Sequence, residues 1–245
     1  MKIRIAIRLI LPAALLVLGA AFTCAQSTKT NTRPQQTASG ATTVPTEDSN
    51  LSSDGSKYLY EFTQPEFYLR HVTIMHDATG KGHIKFERKN DEVEVEEKFE
   101  LSPTARERIF GLFNSLQFLD SQENYQSDKQ FPHLGTMRIT MEKGTRKRTV
   151  EFNWSNNRDA AALANEYRKI TDQAVFLFDM SVARENQPLN APKLLEGLET
   201  LLRRNGLSDP QQLIPVLKEI STDEHLPLIA RNHALRILKK IDTRK

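Results

Sequence analysis

Residues 57–101 show the two-residue alternation of apolar and polar side chains that is typical of strands with one buried face. The apolar positions are Tyr58, Tyr60 and Phe62 at the start of this segment and Val93, Val95, Phe99 and Leu101 at its end. Glu97 falls among the apolar positions of the second run. The pattern predicts a strand at each end of the segment.

A turn signal between these two runs predicts a hairpin. Asp77 and Gly80 occupy the first and fourth positions of a type I turn, which is usual for a three-residue loop with a glycine bulge. In that register the apolar pairs are Ile74 with Ile84 and Val72 with Phe86. A slip of one residue would place Ile74 against Lys85, so the first register is favoured.

A second hairpin is predicted at Gly144 and Thr145, which suit a type II′ turn. The pairs that result are Ile139 with Val150, Met137 with Phe152, Thr140 with Thr149, Arg138 with Glu151 and Glu142 with Lys147. Each pair joins side chains of like or complementary chemistry, and such pairs stabilise neighbouring strands.

Two helices are predicted to accompany these strands. Ser102 and Pro103 start the first, and a longer helix extends from about residue 157 to 184. Their apolar faces are Ile109, Leu112, Phe113 and Leu116 in the first helix and Ala160, Leu163, Ala164, Tyr167, Ile170, Ala174, Leu177 and Phe178 in the second. Residues 57–186 are therefore expected to form an α+β domain, an antiparallel sheet of hairpins with two packed helices.

Residues 187–245 carry only helical patterns, and three helices are predicted there as a small all-α layer. The first ends at Asn205 and Gly206, and the second starts at Asp209. Pro215 is expected to kink the second helix, because proline inside a helix removes a backbone hydrogen bond. Pro227 starts the third helix.

Residues 213–241 resemble a single helix pair of the HEAT or armadillo type. The resemblance rests on Arg231 early in the second helix and on the stripe Ala234, Leu238 and Ile241. It implies a protein-binding surface, because repeats of this type generally bind other proteins. Candidate partner-binding residues are Arg231, Arg236 and Lys239.

The first 25 residues have the pattern of a secretory signal peptide, with a basic start, an apolar run and small residues at the end. The apolar run at residues 9–22 has 14 residues. A membrane-spanning helix needs about 20, so cleavage after Ala25 is expected. The alternative is a lipoprotein anchored at Cys24, the only cysteine of the chain.

Residues 26–56 form a second segment without a folding pattern. Ser and Thr supply 13 of these 31 residues, and no aromatic residue occurs among them. Such a composition buries too little apolar surface to fold, so a disordered tether is expected. The protein would then be exported, to the periplasm or outside the cell, with its folded part on a tether.

Net charge argues against nucleic acid as a partner. Three of the 34 Lys and Arg lie in the leader and none of the 31 Asp and Glu, so the rest of the chain has 31 of each sign. Nucleic-acid binding is driven largely by cationic side chains on the phosphate backbone. A near-neutral chain therefore gives no support for it.

Metal-ligating and catalytic patterns are weak in this sequence. His71, His76 and His83 lie near Asp77, but in the predicted register His71 and His76 face opposite sides of one strand. We expect no metal site. The motifs of nucleophilic, zinc-hydrolase, redox and nucleotide-binding sites do not occur, so no catalytic residue and no cofactor are predicted.

Aromatic and basic side chains supply the ligand-binding candidates. Tyr58, Tyr60 and Trp154 are of the type that stacks on saccharide rings. Arg146 and Arg148 are candidates for an anionic ligand, because the predicted strand pairing leaves them unmatched.

These observations predict an exported, non-catalytic protein. It is expected to be a protein-interaction or scaffold module of the cell envelope, with another envelope or exported protein as its partner. The alternatives are a binding module for an envelope saccharide or anionic ligand, and a hydrolase with a dispersed site. Membrane contact is expected only if Cys24 is lipidated or the leader stays uncleaved.

Overall fold

The structure is a computed structural model that describes residues 55–89, 91 and 93–243. The predicted signal peptide, and all but residues 55–56 of the predicted tether, lie outside the described residues. The strands are β1 (Lys57–Thr63), β2 (Leu69–Asp77), β3 (Lys81–Arg88), β4 (Val95–Glu100), β5 (Thr136–Lys143) and β6 (Arg146–Phe152). They form one antiparallel sheet in the order β4-β3-β2-β1-β5-β6.

The α-helices are α1 (Pro103–Ser115), α2 (Arg158–Asn186), α3 (Ala191–Arg203), α4 (Ile214–Thr222) and α5 (Leu228–Asp242). The predicted α+β class is confirmed, with α1 and α2 packed on the sheet and the other helices following. None of the helices in the described part of the chain is both long and apolar enough to cross a membrane.

Alternation along the strands gives the sheet one apolar and one polar face. Tyr60, Ile74 and Ile139 are buried in the core beneath α1 and α2. On the opposite face Glu61 and Arg138 are neighbours in the register, and their charges remain accessible to water. Helices α1 and α2 therefore cover the apolar face of the sheet, and the polar face is exposed to water, as is common for antiparallel sheets.

The first predicted hairpin is confirmed, with Ile74 opposite Ile84 and Val72 opposite Phe86. Asp77 shapes its turn: the Oδ1 atom accepts hydrogen bonds from the backbone N–H of Thr79 at 2.8 Å and of Lys81 at 3.2 Å. Gly80 has a φ of 88°, a conformation that glycine adopts without steric cost. The turn residues thus set the register that the sequence indicated.

The second predicted hairpin is also confirmed in every pair that was named. Gly144 has a φ of 60°, as a turn with glycine at its first central position demands. The Thr140 and Thr149 hydroxyl oxygens are 2.8 Å apart, so the matched pair forms a hydrogen bond across the strands.

The edge strand β4 departs from the predicted alternation. The expectation that Val93 belongs to the apolar face is wrong, because the strand begins at Val95 and Val93 is 75% exposed. Glu97 lies opposite Ile84, on the core side of the strand, yet remains exposed. Charges pointing inward on an edge strand oppose pairing with another sheet, which gives Glu97 a physical role.

The predicted starts of α1 and α2 are confirmed, and a side chain caps each of them. The Ser102 hydroxyl accepts a hydrogen bond from the backbone N–H of Ala105, and the Asn157 side chain accepts two from the first turn of α2. The predicted burial of Leu177 is wrong, since it is exposed while Phe176 and Met180 are buried. The second half of α2 contacts the C-terminal helices as well as the sheet, and this shifts its buried stripe.

The C-terminal helices enclose a second apolar cluster. Its central members are Phe176, Met180, Leu195, Leu198, Leu213, Leu217, Ala234 and Ile237. The predicted kink at Pro215 is wrong: a 3-10 turn at Pro210–Leu213 precedes α4, and Pro215 lies in the first helical turn, where no N–H is required. Helices α4 and α5 pack as a pair, and their resemblance to a HEAT repeat remains a prediction.

Helix α2 belongs to both apolar clusters. Its residues Leu163 and Tyr167 are buried in the cluster under the sheet, and Phe176 and Met180 are buried in the C-terminal cluster. Near the C-terminal end of α2, the Arg184 guanidinium lies 3.0 Å from the Asp223 carboxylate, and this ion pair also links α2 to the helical layer. The 29-residue helix therefore connects the sheet to the helical layer.

Candidate functional site

A cleft of about 870 Å³ opens between α2 and one end of the sheet. At this end β1 and β6 finish while β2 and β5 begin, so four strand ends and two connections meet there. The cleft is lined by Tyr60, Phe62, Glu66, Phe67, Tyr68, Leu69, Val72, Leu134, Met137, Phe152, Asn153, Trp154, Ser155, Ala161, Ala164, Asn165, Arg168, Thr171 and Asp172. Six of these side chains are aromatic.

The connection between β1 and β2 forms one wall. A tight turn places Phe67 and Tyr68 there, closed by a backbone hydrogen bond of 3.1 Å from the N–H of Phe67 to the carbonyl of Gln64. The Gln64 side chain donates to the carbonyl oxygen of Pro132 at 2.9 Å, which fixes the turn to a neighbouring loop. Phe67 is 42% exposed and Tyr68 is 54% exposed.

Arg88 holds the Tyr68 side chain in place. Its Nη1 atom donates to the Tyr68 hydroxyl at 3.1 Å and to the Asp179 carboxylate at 2.8 Å. A second cleft, of about 800 Å³, lies beyond Tyr68 along α2. Tyr68 and Asp172 line both clefts, so the Tyr68 ring stands at the boundary between them.

Trp154 forms the opposite wall. It lies two residues after the end of β6, and its carbonyl oxygen accepts a hydrogen bond of 2.9 Å from the N–H of Ser127. The ring of Phe131 meets the indole edge-to-face with centroids 5.7 Å apart. Trp154 is nevertheless 49% exposed, so an apolar ring faces the cleft from a fixed backbone.

One face of α2 completes the cleft. Ala161, Asn165, Arg168 and Asp172 follow one another at spacings of four, three and four residues, which places them along a single side of a helix. With a rise of 1.5 Å per residue, this side is roughly 16 Å long. The cleft therefore has a polar edge beside its aromatic walls.

The acidic side chains that line the cleft have cationic partners, whereas Arg168 forms no ion pair with a described residue. The Asp172 carboxylate lies 3.4 Å from the Arg204 guanidinium, and burial raises the pKa of Asp172 while Arg204 and Arg168 oppose that rise. Glu66 binds Lys89 at 2.9 Å, and this hydrogen bond lowers the pKa of Glu66. Arg168 is exposed and makes no hydrogen bond or ion pair with another described residue.

The sequence candidates Tyr58, Tyr60 and Trp154 do not meet at one site. Tyr60 lies at the floor of the cleft, stacked on Tyr167 with ring centroids 4.8 Å apart, and burial raises the pKa of its hydroxyl. Tyr58 lies in the core, stacked on His76 at 4.9 Å. Of the three, Tyr60 and Trp154 line the cleft and Tyr58 does not.

Both basic candidates on β6 have partners, although strand pairing left them unmatched. Arg146 lies 2.6 Å from the Asp120 carboxylate. Arg148 donates to the carbonyl oxygens of Phe118 and Glu123, each at 2.6 Å, and its guanidinium lies 5.1 Å from the centroid of the Tyr125 ring. Both arginines fasten the segment before β5 to the sheet.

The partner-binding candidates lie on α5. Arg236 and Lys239 are exposed, whereas Arg231 is only partly exposed and its Nε atom is buried without a hydrogen bond to a described residue. Leu228, Ile229 and Leu235 on the same helix are 61%, 64% and 45% exposed. The outer surface of α5 thus combines apolar and basic side chains.

His76 is a core residue. Its Nε2 atom lies 2.9 Å from the Tyr167 hydroxyl and its Nδ1 atom 3.0 Å from the carbonyl oxygen of Asp77. Burial lowers the pKa of His76 to about 4. His71 faces the other side of β2, as the register predicted, and among the described residues no three His, Cys, Asp or Glu side chains converge on a metal position.

Phe67, Tyr68, Arg168 and Asp172 are cleft residues that the sequence candidates did not include. The sequence contains a pattern that could have identified Arg168 and Asp172. They share one face of the predicted helix with Asn165, beside its apolar stripe. Phe67 and Tyr68 gave no such signal, since a turn and not a periodic element positions them.

A comparison with protein-family models and with curated protein sequences finds no match to this chain.

Proposed function

We propose that the protein is a binding module whose aromatic cleft takes a small ligand with a flat apolar body. The observation that carries this proposal is the cleft itself, in which Phe67, Tyr68 and Trp154 stay half-exposed around one concavity. Ligand sites are typically concave, mainly apolar and supplied with a few polar groups. The predicted export would place this module in the cell envelope or outside the cell.

The lining favours an apolar ring over a highly hydroxylated sugar. A saccharide requires several polar partners, yet Asn153 uses its side-chain oxygen to accept hydrogen bonds from Gln126 and from the N–H of Phe131. Aromatic walls instead favour stacking or edge-to-face contact with another ring, worth roughly 0.5–1.5 kcal/mol per pair beyond surface burial. Each half-exposed ring would lose unfavourable contact with water when a flat ligand enters.

Binding rather than hydrolysis is supported by the carboxyl groups of the cleft. Glu66 is paired with Lys89, and Asp172 lies beside Arg204. Each therefore already has a cationic neighbour, and none of the described cleft residues is a serine or cysteine hydrogen-bonded to a histidine. We therefore infer that the two carboxylates stabilise the cleft through these ion pairs and do not act as catalytic groups.

The position of Trp154 provides the experiment, because it is the only tryptophan of the chain. N-phenyl-1-naphthylamine, a neutral and flat fluorescent probe, should bind and accept energy from Trp154. The variant Ala161→Phe adds a ring to an exposed position on the α2 wall and should weaken binding by at least about tenfold, which corresponds to 1.4 kcal/mol.

Ser181→Phe is the matched control, since Ser181 is exposed on α2 and does not line the cleft. It should leave the affinity for the probe unchanged. Equal affinities in Ala161→Phe, Ser181→Phe and the unmodified protein would show that the probe binds elsewhere, and the proposal would fail.

A second candidate function, protein docking on the helical layer, is favoured by the exposed Leu228, Ile229 and Leu235 of α5. Replacing both Leu228 and Leu235 by serine should prevent a partner protein from being captured by cross-linking in cells. Leu189→Ser is the control, because Leu189 is 83% exposed outside α5. Retention of the partner in the double variant would contradict docking at this surface.

A further inference from the structure

We propose that Arg168 makes the cleft selective for acids, so that its ligand is a flat, ring-bearing anion whose carboxylate or sulfonate binds the Arg168 guanidinium. This inference rests on the proposed function, because it specifies the ligand of the same cleft. Its chemical class is that of arenecarboxylates and arenesulfonates, with the ring near Trp154 and the acidic group on α2.

Arg168 has no hydrogen-bond or ion-pair partner among the described residues. Four arginines, at positions 158, 168, 231 and 236, make no hydrogen bond or ion pair with any residue that the structure describes. Among these four, Arg168 lines the cleft and the others do not. A guanidinium presents five N–H donors in a planar fork that matches a carboxylate, and at Arg168 this fork remains unused.

The acidic groups that line the cleft are paired with cations other than Arg168. Asp172 and Glu66 are the acidic groups that line it, and each has another cation within 4 Å, Arg204 and Lys89 respectively. Arg168 forms neither of these pairs, and its charge is compensated only in part, by the neighbouring Asp172. An entering anion would be attracted to Arg168, and the surrounding rings would reduce the screening by water.

The distance between Arg168 and the Trp154 end of the cleft suits a ring-bearing ligand with one acidic group. Arg168 lies seven residues after Ala161 on α2, which corresponds to roughly 10 Å along the helix axis. Ala161, in the first turn of α2, belongs to the end of the cleft that Trp154 and Ser155 also line, because these two residues lie four and three positions before the helix begins. A bicyclic ring with one acidic substituent has the length needed to contact both ends.

The test uses two probes with the same aromatic body and different charge. N-phenyl-1-naphthylamine is neutral, and 8-anilinonaphthalene-1-sulfonate carries a sulfonate on an equivalent body. Each is titrated into the purified protein and into the variants Arg168→Gln and Arg236→Gln. Arg236 is the matched control, since it is also an exposed arginine without a described partner but lies on α5.

We expect Arg168→Gln to weaken sulfonate binding by about tenfold, the scale of one charge-assisted hydrogen-bonded pair, while the neutral probe changes less than about twofold. Arg236→Gln should alter neither affinity. Because Arg168 is exposed and forms no hydrogen bond or ion pair with a described residue, its substitution should shift the thermal unfolding midpoint only slightly, so a change in affinity reports binding and not misfolding.

The outcomes separate the inference from the proposed function. If the neutral probe binds and Arg168→Gln does not weaken the sulfonate probe, the acid selectivity is overturned and the cleft remains a binding site. If neither probe binds, both proposals fail. The ring requirement is tested by competition: 1-naphthoate should displace the bound probe at lower concentration than dodecanoate, and the reverse order would overturn that part of the inference.

Discussion

Acid should destabilise this protein through His76 at a higher pH than through the carboxylates whose pKa is lowered by ion pairs. The imidazole is buried between Tyr58 and Tyr167, and its pKa falls from 6.5 to about 4 in the folded protein. The neutral form is thus favoured by folding. Stability from this group is present above pH 6.5 and is lost as the pH falls towards 4, because the unfolded chain then binds a proton that the folded chain resists.

The magnitude follows from the shift. A depression of about 2.5 pKa units corresponds to about 3 kcal/mol when fully expressed, and about 2 kcal/mol of this is lost between pH 7 and pH 5. For a domain whose whole stability is typically 5–15 kcal/mol, such a loss is readily measured. Glu199, with a pKa lowered to about 2, loses its contribution only below about pH 4.5 and does not interfere.

The assay is urea unfolding followed by circular dichroism at pH 7, 6 and 5. His76→Gln keeps hydrogen-bonding groups but does not titrate, so its free energy of unfolding should change less over this range than that of the unmodified protein, by about 2 kcal/mol. The raised pKa values of Asp172 and Asp179 make the folded protein more stable as the pH falls. This contribution is the same in both proteins and cancels when their free energies of unfolding are compared.

His71→Gln is the control for this prediction. His71 lies on the same strand but on the other face, beside Thr73, and its replacement should preserve the acid sensitivity. A His76→Gln protein as acid-sensitive as the unmodified one would refute the argument from burial.

Two further predictions concern the sheet. Glu97→Val should promote self-association of the edge strand β4, visible as a larger species in size-exclusion chromatography with light scattering, and a strictly monomeric variant would contradict its protective role. Gly135→Ala should destabilise the fold by about 1–3 kcal/mol, because φ is 85° and a Cβ atom would lie 2.6 Å from the Phe62 ring. Gly144→Ala, with positive φ but open space, should cost less in the same denaturation experiment.

The hairpins were predictable because their turns and their cross-strand pairs point to the same register. Asp77 and Gly80 define the turn, and the pairing of Ile74 with Ile84 then follows by counting. The start of α1 at Ser102 and Pro103 was predictable for a similar local reason. Local chemistry decides each of these features, so no knowledge of distant contacts was needed.

Features that depend on distant neighbours were not predictable. Periodicity indicated an apolar stripe on α2 but not that the stripe shifts to Phe176 and Met180, where the helix also meets the C-terminal helices. Likewise, the alternation around Val93 did not reveal where the edge strand begins. Phe67 and Tyr68 belong to the cleft because a turn brings them there, and the pairing of Arg148 depends on a segment that precedes it by about 25–30 residues.

Helix α2 also makes the cleft and the helical layer thermodynamically dependent on each other. Arg168 and Asp172 lie on the same continuous helix as Phe176 and Met180, without a break between them. A ligand that binds only the folded cleft stabilises every segment whose opening would unwind this helix. Amide hydrogen exchange in α3 to α5 should therefore slow when the cleft is occupied, although none of these amides touches the ligand.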